Sequence, residues 1–194
     1  MSERRFEWRP AFLPVLTLLF LSSCAGSSTY MRPATSQNTP TPNKALVRFM
    51  RPSGMGFAIN FNVMDGTKVI GNSVAKSQFD YLTEPGRHLF VSTAENKVFL
   101  EADLEPGKVY YIVTRVYPGA WRARVAFVAV TRGSEFWETV LQYDKELVRL
   151  EPDEAKLRAW EAEHKEEIQA LVTAYELEFK KQYDWPKLRP DDGR

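Results

Sequence analysis

From Ala45 onward, apolar residues recur at alternate positions in short runs rich in β-branched and aromatic side chains, and each run is closed by a turn signal. A period of two bounded in this way predicts strands. The runs cover 45–50, 57–64, 67–73, 78–82, 87–94, 97–104, 108–116 and 121–130. After Gly133 the period lengthens to about 3.6, which predicts a helix over 135–150, a break near Glu151-Pro152, and a second helix from Asp153 to about Tyr183. The second helix carries an apolar stripe of Leu157, Trp160, Ile168, Leu171, Tyr175 and Phe179, with Glu161, Glu163, Glu166 and Glu167 on its other faces. The expected fold class is mainly β, a seven- to eight-stranded antiparallel β-sandwich followed by a C-terminal helical arm of two helices. The stripe is expected to pack on the sandwich or on the first helix, or else to meet a partner helix. A long coiled coil is disfavoured, because Leu157, His164, Leu171 and Glu178 would share one heptad position and His and Glu make a poor seam.

The turn signals carry their own chemistry. Asp65-Gly66 is the strongest hairpin signal. Glu84-Pro85-Gly86 and Glu105-Pro106-Gly107 each supply Pro for the first central position of a type II turn and Gly for the second, where φ is positive. Both read as fold-setting reversals.

Upstream of Ala45 the pattern is different. Arg4, Arg5 and Arg9 precede an apolar run from Ala11 to Leu21, interrupted by Pro14. Eleven residues cover about 16 Å as a helix, against a hydrocarbon core of about 30 Å, so the run fits an export signal better than a membrane span. Leu21-Ser22-Ser23-Cys24 follows directly and resembles the lipobox of bacterial lipoproteins: an aliphatic residue, two small residues and the cysteine that receives lipid. The resemblance implies lipidation at Cys24, and Ala25 in place of an aspartate implies sorting to the outer membrane, facing the periplasm. Glu3 and Glu7 depart from the twin-arginine export motif that Arg4-Arg5 suggests. From Ala25 to Lys44 the chain is rich in Ser, Thr, Pro, Asn and Gln, as expected of a flexible tether of at most about 66 Å. The expected organisation is a signal peptide over 1–23, lipidated cysteine and tether over 24–44, the β-sandwich over 45–133 and the helical arm over 134–194.

Composition adds a division of charge. The overall net charge is +1. Residues 24–133 hold 13 Lys/Arg against 7 Asp/Glu, a net +6, and residues 134–194 hold 10 against 16, a net −6. The two parts can attract each other or present different faces to different partners, and neither has the basic bias of a nucleic-acid binder. A single cysteine excludes an internal disulfide.

Arg48-Phe49-Met50-Arg51-Pro52, the Asp65-Gly66 hairpin with Gly71, Glu84-Pro85-Gly86-Arg87-His88 and Glu105-Pro106-Gly107-Lys108-Val109-Tyr110-Tyr111 follow one another in order. That order resembles a bacterial envelope domain family of unknown function, similar in kind to PEGA-type sandwiches, whose pattern runs from Arg-Pro through Pro-Gly-Lys-His to Gly-Lys-Thr-Tyr-Tyr. The resemblance covers about 45–130, with Arg87 and Val109 as departures. It implies a β-sandwich without known catalytic residues.

The chain is poor in candidate chemistry. His88 and His164 are the only histidines, and neither sits in a hydrolytic motif. The residues do not supply a zinc ligand set, a phosphate loop or a dinucleotide fingerprint, so no metal or cofactor is expected. Carboxylate pairs such as Glu163 with Glu167 read as a solvated helix face. One constellation stands out. If Pro118-Gly119 forms a two-residue hairpin loop, Arg115 faces Arg122 with Arg124 on the same side, and like charges so placed call for an anion. The acidic arm is the first expected source, and a lipid headgroup or glycan phosphate the second. Tyr110, Tyr111, Tyr117 and Trp121 beside it suggest a sugar-stacking platform, though core packing explains most of them as well. The expected function is a non-catalytic, lipid-anchored envelope module that binds or scaffolds a protein or glycan partner. The alternatives are an envelope-acting hydrolase or transferase, and a recognition module for glycan or anionic lipid.

Overall fold

The structure, a computed structural model, describes residues 27–194. The expected signal segment and Cys24 lie outside the described residues. The strands are β1 (Met31–Pro33), β2 (Ala45–Arg51), β3 (Phe61–Asp65), β4 (Lys68–Ser73), β5 (Ser77–Thr83), β6 (Gly86–Thr93), β7 (Lys97–Leu104), β8 (Val109–Pro118), β9 (Ala123–Val130), β10 (Val148–Pro152) and β11 (Lys187–Leu188). The helices are α1 (Trp137–Glu146), α2 (Glu154–Glu163) and α3 (Lys165–Ala174), the last running on through a π turn at Tyr175–Phe179. The protein is therefore mainly β, with two sheets and three helices. One sheet has the order β1-β10-β5-β2-β8-β9 and the other β11-β7-β6-β3-β4.

Strand β2 shows how the alternation is used. Ala45, Val47 and Phe49 point to one side and join a cluster with Phe61 and Val63 of β3, Phe90 of β6 and Leu100 of β7, so both sheets contribute to one core. Phe49 stacks on Phe79 at 5.0 Å and meets Phe90 edge-on at 5.2 Å. Leu46 and Met50 point to the other side, into a second cluster with Val140 of α1. A strand buried on both faces reads as a nearly continuous apolar run, which Arg48 and Arg51 interrupt.

A third cluster lies on the outer face of the five-stranded sheet, where Met64, Val69, Val91 and Phe99 receive Leu157, Ile168, Leu171 and Tyr175, with Trp160 and Phe179 packed against them. The stripe expected from the helical period therefore covers a sheet of its own chain. Arg158 and Glu161 of α2 also bond the backbone of Val69 on edge strand β4, satisfying groups that an open edge leaves unpaired.

The structure corrects several expectations. The sheets are mixed rather than antiparallel: β2 pairs in parallel with β8, β10 with β5, and β11 with β7. Parallel partners lie far apart in sequence, so alternation within each run cannot reveal them. The expected tether 25–44 contains β1, which pairs with β10 and buries Met31, while Asn38 N–H donates to the Asp80 carboxylate. β10 and Asp80, which bind it, lie more than forty residues downstream, out of reach of a composition argument. The expected helix over 135–150 ends at Glu146, because Val148, Leu150 and Pro152 favour the extended chain that β10 forms between β1 and β5. The residues after Gly133 are thus helices together with one strand for each sheet, β10 inside the six-stranded one and β11 at the edge of the other. The second expected helix begins where Asp153 accepts the Lys156 N–H, but it breaks at His164, whose ring stacks on Trp160 at 4.0 Å and donates to the Trp160 carbonyl. The expected strand 57–64 begins only at Phe61. Gly86 and Gly107 hold φ of 117° and 75°, as the two turns require.

Phe99 lies beneath Tyr175, Phe179 and Trp185, with ring centroids 4.6, 5.7 and 5.0 Å away. Phe99→Ala is expected to cost about 3–5 kcal/mol. It should lower the urea midpoint and selectively raise hydrogen exchange across α2 and α3.

Candidate functional site

Strand direction gathers four connections at one end of the molecule. The parallel pairing of β2 with β8 places the exits of both strands together, so the 52–60 loop lies beside the 119–122 loop. The pairings of β3 with β4 and β6 bring the 74–76 connection and the 94–96 turn to the same end. Close approaches agree: a Cβ on Gly54 would meet Lys76 at 3.4 Å, and one on Gly56 would meet Val116 at 3.6 Å.

Arg51 organises this end. Its side chain is buried at the exit of β2, with no carboxylate partner among the described residues, and it donates to four backbone carbonyls. Ile59 accepts at 2.7 Å, Met55 and Gly56 at 2.8 Å and Ser73 at 3.0 Å. Burial pulls its pKa down to about 10, and the Phe61 ring lies 5.0 Å from the guanidinium carbon. These bonds help explain why 57–60 is not a strand: the guanidinium takes the Ile59 carbonyl and holds those of Met55 and Gly56, and the Ile59 N–H turns back to the Gly56 carbonyl. Phe57 and Ile59 alternate as strand residues do, yet both stand exposed.

The expected arginine constellation is rearranged. Residues 119–122 form a four-residue loop, and the register sets Arg115 opposite Ala126 and Arg124 opposite Tyr117. Arg115 and Arg124 share the outer face on a diagonal, while Arg122 lies in the loop and does not face Arg115. The loop is opened by Glu95 of the β6–β7 turn, whose carboxylate accepts the N–H groups of Ala120 at 3.0 Å, Trp121 at 2.8 Å and Arg122 at 2.7 Å. Those three bonds, with Arg124 nearby, hold its carboxyl down to about 2. Glu95 thus holds the loop backbone, and among the described residues neither it nor the acidic arm forms an ion pair with Arg115, Arg122 or Arg124. Arg115 lies 4.7 Å over the Phe136 ring. Of the four aromatics expected as a sugar platform, Tyr110 and Tyr111 are core residues, while Tyr117 and Trp121 are exposed.

On the opposite face of β2, Arg48 is held between two acids. It donates to Asp80 at 2.6 and 3.2 Å and to Asp144 of α1 at 2.8 and 2.9 Å, and Arg149 also reaches Asp144 at 2.6 Å. This network ties α1 and β10 to the sheet. Beside it, between the outer face of β8–β9 and α1, is a cleft of about 470 Å³ lined by Val113, Val128, Val130 and Phe136, with the exposed cations Lys76 and Arg115 at its borders.

His88 lies at the other end, beside a carboxylate and a hydroxyl. Its Nδ1 is 2.7 Å from Asp65 and its Nε2 2.9 Å from the Glu84 carbonyl, while the Tyr81 hydroxyl donates to the same Asp65 oxygen at 3.0 Å. Both partners of the ring accept, so the geometry favours the imidazolium, in which both nitrogens donate. Burial works against that charge, but the Asp65 and Glu84 bonds outweigh it and raise the pKa above the ordinary value. In that form His88 has no lone pair for proton abstraction. His164 donates from Nδ1 alone, to the Trp160 carbonyl.

Among the described residues no His, Cys, Asp and Glu cluster could hold a metal ion, and no helix is long and apolar enough to cross a membrane. Compared with known proteins, the chain matches no family model, no curated protein and no solved structure. The sequence signals point to Arg115, Arg122 and Arg124 but not to Glu95 and Asp65, whose partners are distant in the chain, nor to Arg51, whose partners are backbone carbonyls that carry no side-chain signal. The available hint was Arg51 itself, a charge on the inward side of an apolar strand.

Two expectations follow. Arg48→Met leaves Asp80 and Asp144 short of their shared cation and should cost about 3–5 kcal/mol in denaturant unfolding. Because the folded-state pKa of His88 is raised, its contribution to stability is complete below the unfolded value of about 6.5 and is lost as pH rises through the folded value. Asp65→Asn should therefore destabilise most at acidic pH, with the gap to wild type narrowing towards pH 8 in unfolding midpoints.

Proposed function

We propose that this chain is a lipid-anchored protein of the bacterial envelope, held at the outer membrane through Cys24, whose β-sandwich and helices bind or scaffold another envelope component without chemistry of their own. The observation that carries this reading is the engagement of the acid-base side chains by the fold itself. His88 donates from both nitrogens, and Asp65, Asp80 and Asp144 each pair internally. A hydrolase or transferase would need one such group to keep a free lone pair beside a reacting atom. Support for the anchor comes from the sequence alone, from the apolar run that ends at Leu21-Ser22-Ser23-Cys24.

A second reading, favoured by the cleft under α1, is recognition of an amphipathic anion. Its valine-lined wall suits an acyl or other apolar group, and Arg115 and Lys76 would meet a phosphate or carboxylate.

Intact mass and membrane fractionation of wild type and Cys24→Ala test the anchor. Wild type should carry an acyl-modified N-terminus on Cys24 and float with outer membranes, while the variant is released. Two soluble, unmodified proteins would remove the anchor from the proposal.

A further inference from the structure

The end of the molecule organised by Arg51 is unusual in what it leaves in water. Eight large apolar side chains are exposed among the described residues, and five of them are here: Met55 at 51%, Phe57 at 68%, Ile59 at 42%, Tyr117 at 45% and Trp121 at 95%. The other three, Val148, Leu177 and Tyr183, lie on other elements. An apolar group of this kind marks an interaction surface. It is also rigid, because the Arg51 guanidinium fixes the carbonyls of Met55, Gly56 and Ile59 and the Glu95 carboxylate fixes the three N–H groups around Trp121. Little ordering entropy would then oppose contact.

Two further features indicate what covers this end. Exposed Lys76, Arg122 and Arg124 surround the apolar tips, and the one nearby carboxylate of the 94–96 turn is already occupied by backbone N–H groups. The opposite end, built from the Asp65-Gly66, Glu84–Gly86 and Glu105–Gly107 turns, has none of the eight apolar side chains, and its exposed Glu84 and Glu105 pair with Lys44 and Lys108 beside exposed Lys68 and Arg87. The described chain also begins at this same end: the Ser27 carbonyl accepts the Asn60 side-chain amide at 2.7 Å, next to Ile59. Two residues separate Cys24 from Ser27, and the three steps between them span at most about 11 Å. An acyl group on Cys24 would therefore enter the bilayer close to the 52–60 loop.

We propose that the 52–60 and 119–122 loops form a membrane-docking face, which seats the domain end-on against the bilayer that holds its own anchor. Met55, Phe57, Ile59 and Trp121 enter the interfacial layer, where apolar and indole side chains are favoured, and Arg122, Arg124 and Lys76 meet anionic headgroups. Residues 27–44 then act as a strap bound along the domain, and the cleft under α1 and the C-terminal helices are held at a fixed height over the membrane. The position of this face relative to Cys24 rests on the anchored reading, whereas its apolar and cationic character does not.

The test uses the full chain, purified from membranes and reconstituted into phosphatidylethanolamine vesicles containing phosphatidylglycerol. Phe57→Cys and Trp121→Cys, with Glu105→Cys at the far end, carry an environment-sensitive fluorophore, and lipids with a spin label on the acyl chain act as quenchers. Quenching at 57 and 121 with none at 105 is expected, and Arg122→Glu with Arg124→Glu should reduce it. Equal, weak quenching at all three positions overturns the docking face. Intact mass of the same samples reads the anchor separately. Acylated Cys24 without quenching leaves the anchor and removes the face. If Cys24 is unmodified, the labelled variants on a Cys24→Ala background are added to vesicles, where quenching at 57 and 121 still supports the face and its absence overturns it. A change at 57 that follows protein density rather than quencher lipid assigns the face to a second copy of the chain and likewise overturns the proposal.

Discussion

Two guanidinium groups leave water on the central strand β2, and each must be compensated inside the protein. A buried cation without partners is among the costliest features a fold can carry, so the positions of its partners become constraints on everything around it. Arg48 draws Asp80 from β5 and Asp144 from α1, and through Asp144 it draws Arg149 at the start of β10. Arg51, on the opposite face and at the end of the strand, has no acid among the described residues to pair with and binds backbone carbonyls instead. One strand thereby sets the attachment of a helix on the outer face and the shape of a loop at the end.

The apolar clusters supply the bulk of the stabilisation and fit around those constraints. The largest is shared by the two sheets, with Phe49 at the centre of an aromatic group, and the other two lie on the outer faces, under α1 and under α2–α3. Because helices cover both sheets, neither sheet presents a broad bare face. The molecule's remaining open surfaces are consequently its ends and the margin of α1. That geometry explains why the exposed apolar residues concentrate where loops leave the sheets, and why the end that carries them is also the end that holds the start of the described chain.

The polar groups divide along the same axis. At one end Glu95 and Arg51 hold two loops in place from beneath, leaving apolar tips and arginines outward. At the other, Asp65 joins His88 and Tyr81 into a closed hydrogen-bonded group that fixes the turns. A histidine with both nitrogens donating is a structural cation, and its surroundings make the difference between a brace and a catalyst.

Period and turn chemistry determined a good deal by themselves. Alternation located most strands from β2 to β9, the Pro-Gly pairs located turns whose glycines hold positive φ, and the 3.6-residue stripe identified the side chains of α2–α3 that pack on a sheet. These features are local: they depend on which face a residue takes and on which φ it can adopt. Tertiary structure decided the rest. Parallel pairing of β2 with β8, recruitment of Met31–Pro33 and Val148–Pro152 as strands, the four-residue loop at 119–122 and the separation of Arg115 from Arg122 all depend on groups brought together from distant parts of the chain. Residues 57–60 show the difference most clearly. Their alternation is that of a strand, but a strand also needs partners for its backbone, and here the Ile59 carbonyl goes to Arg51 and the Ile59 N–H to Gly56.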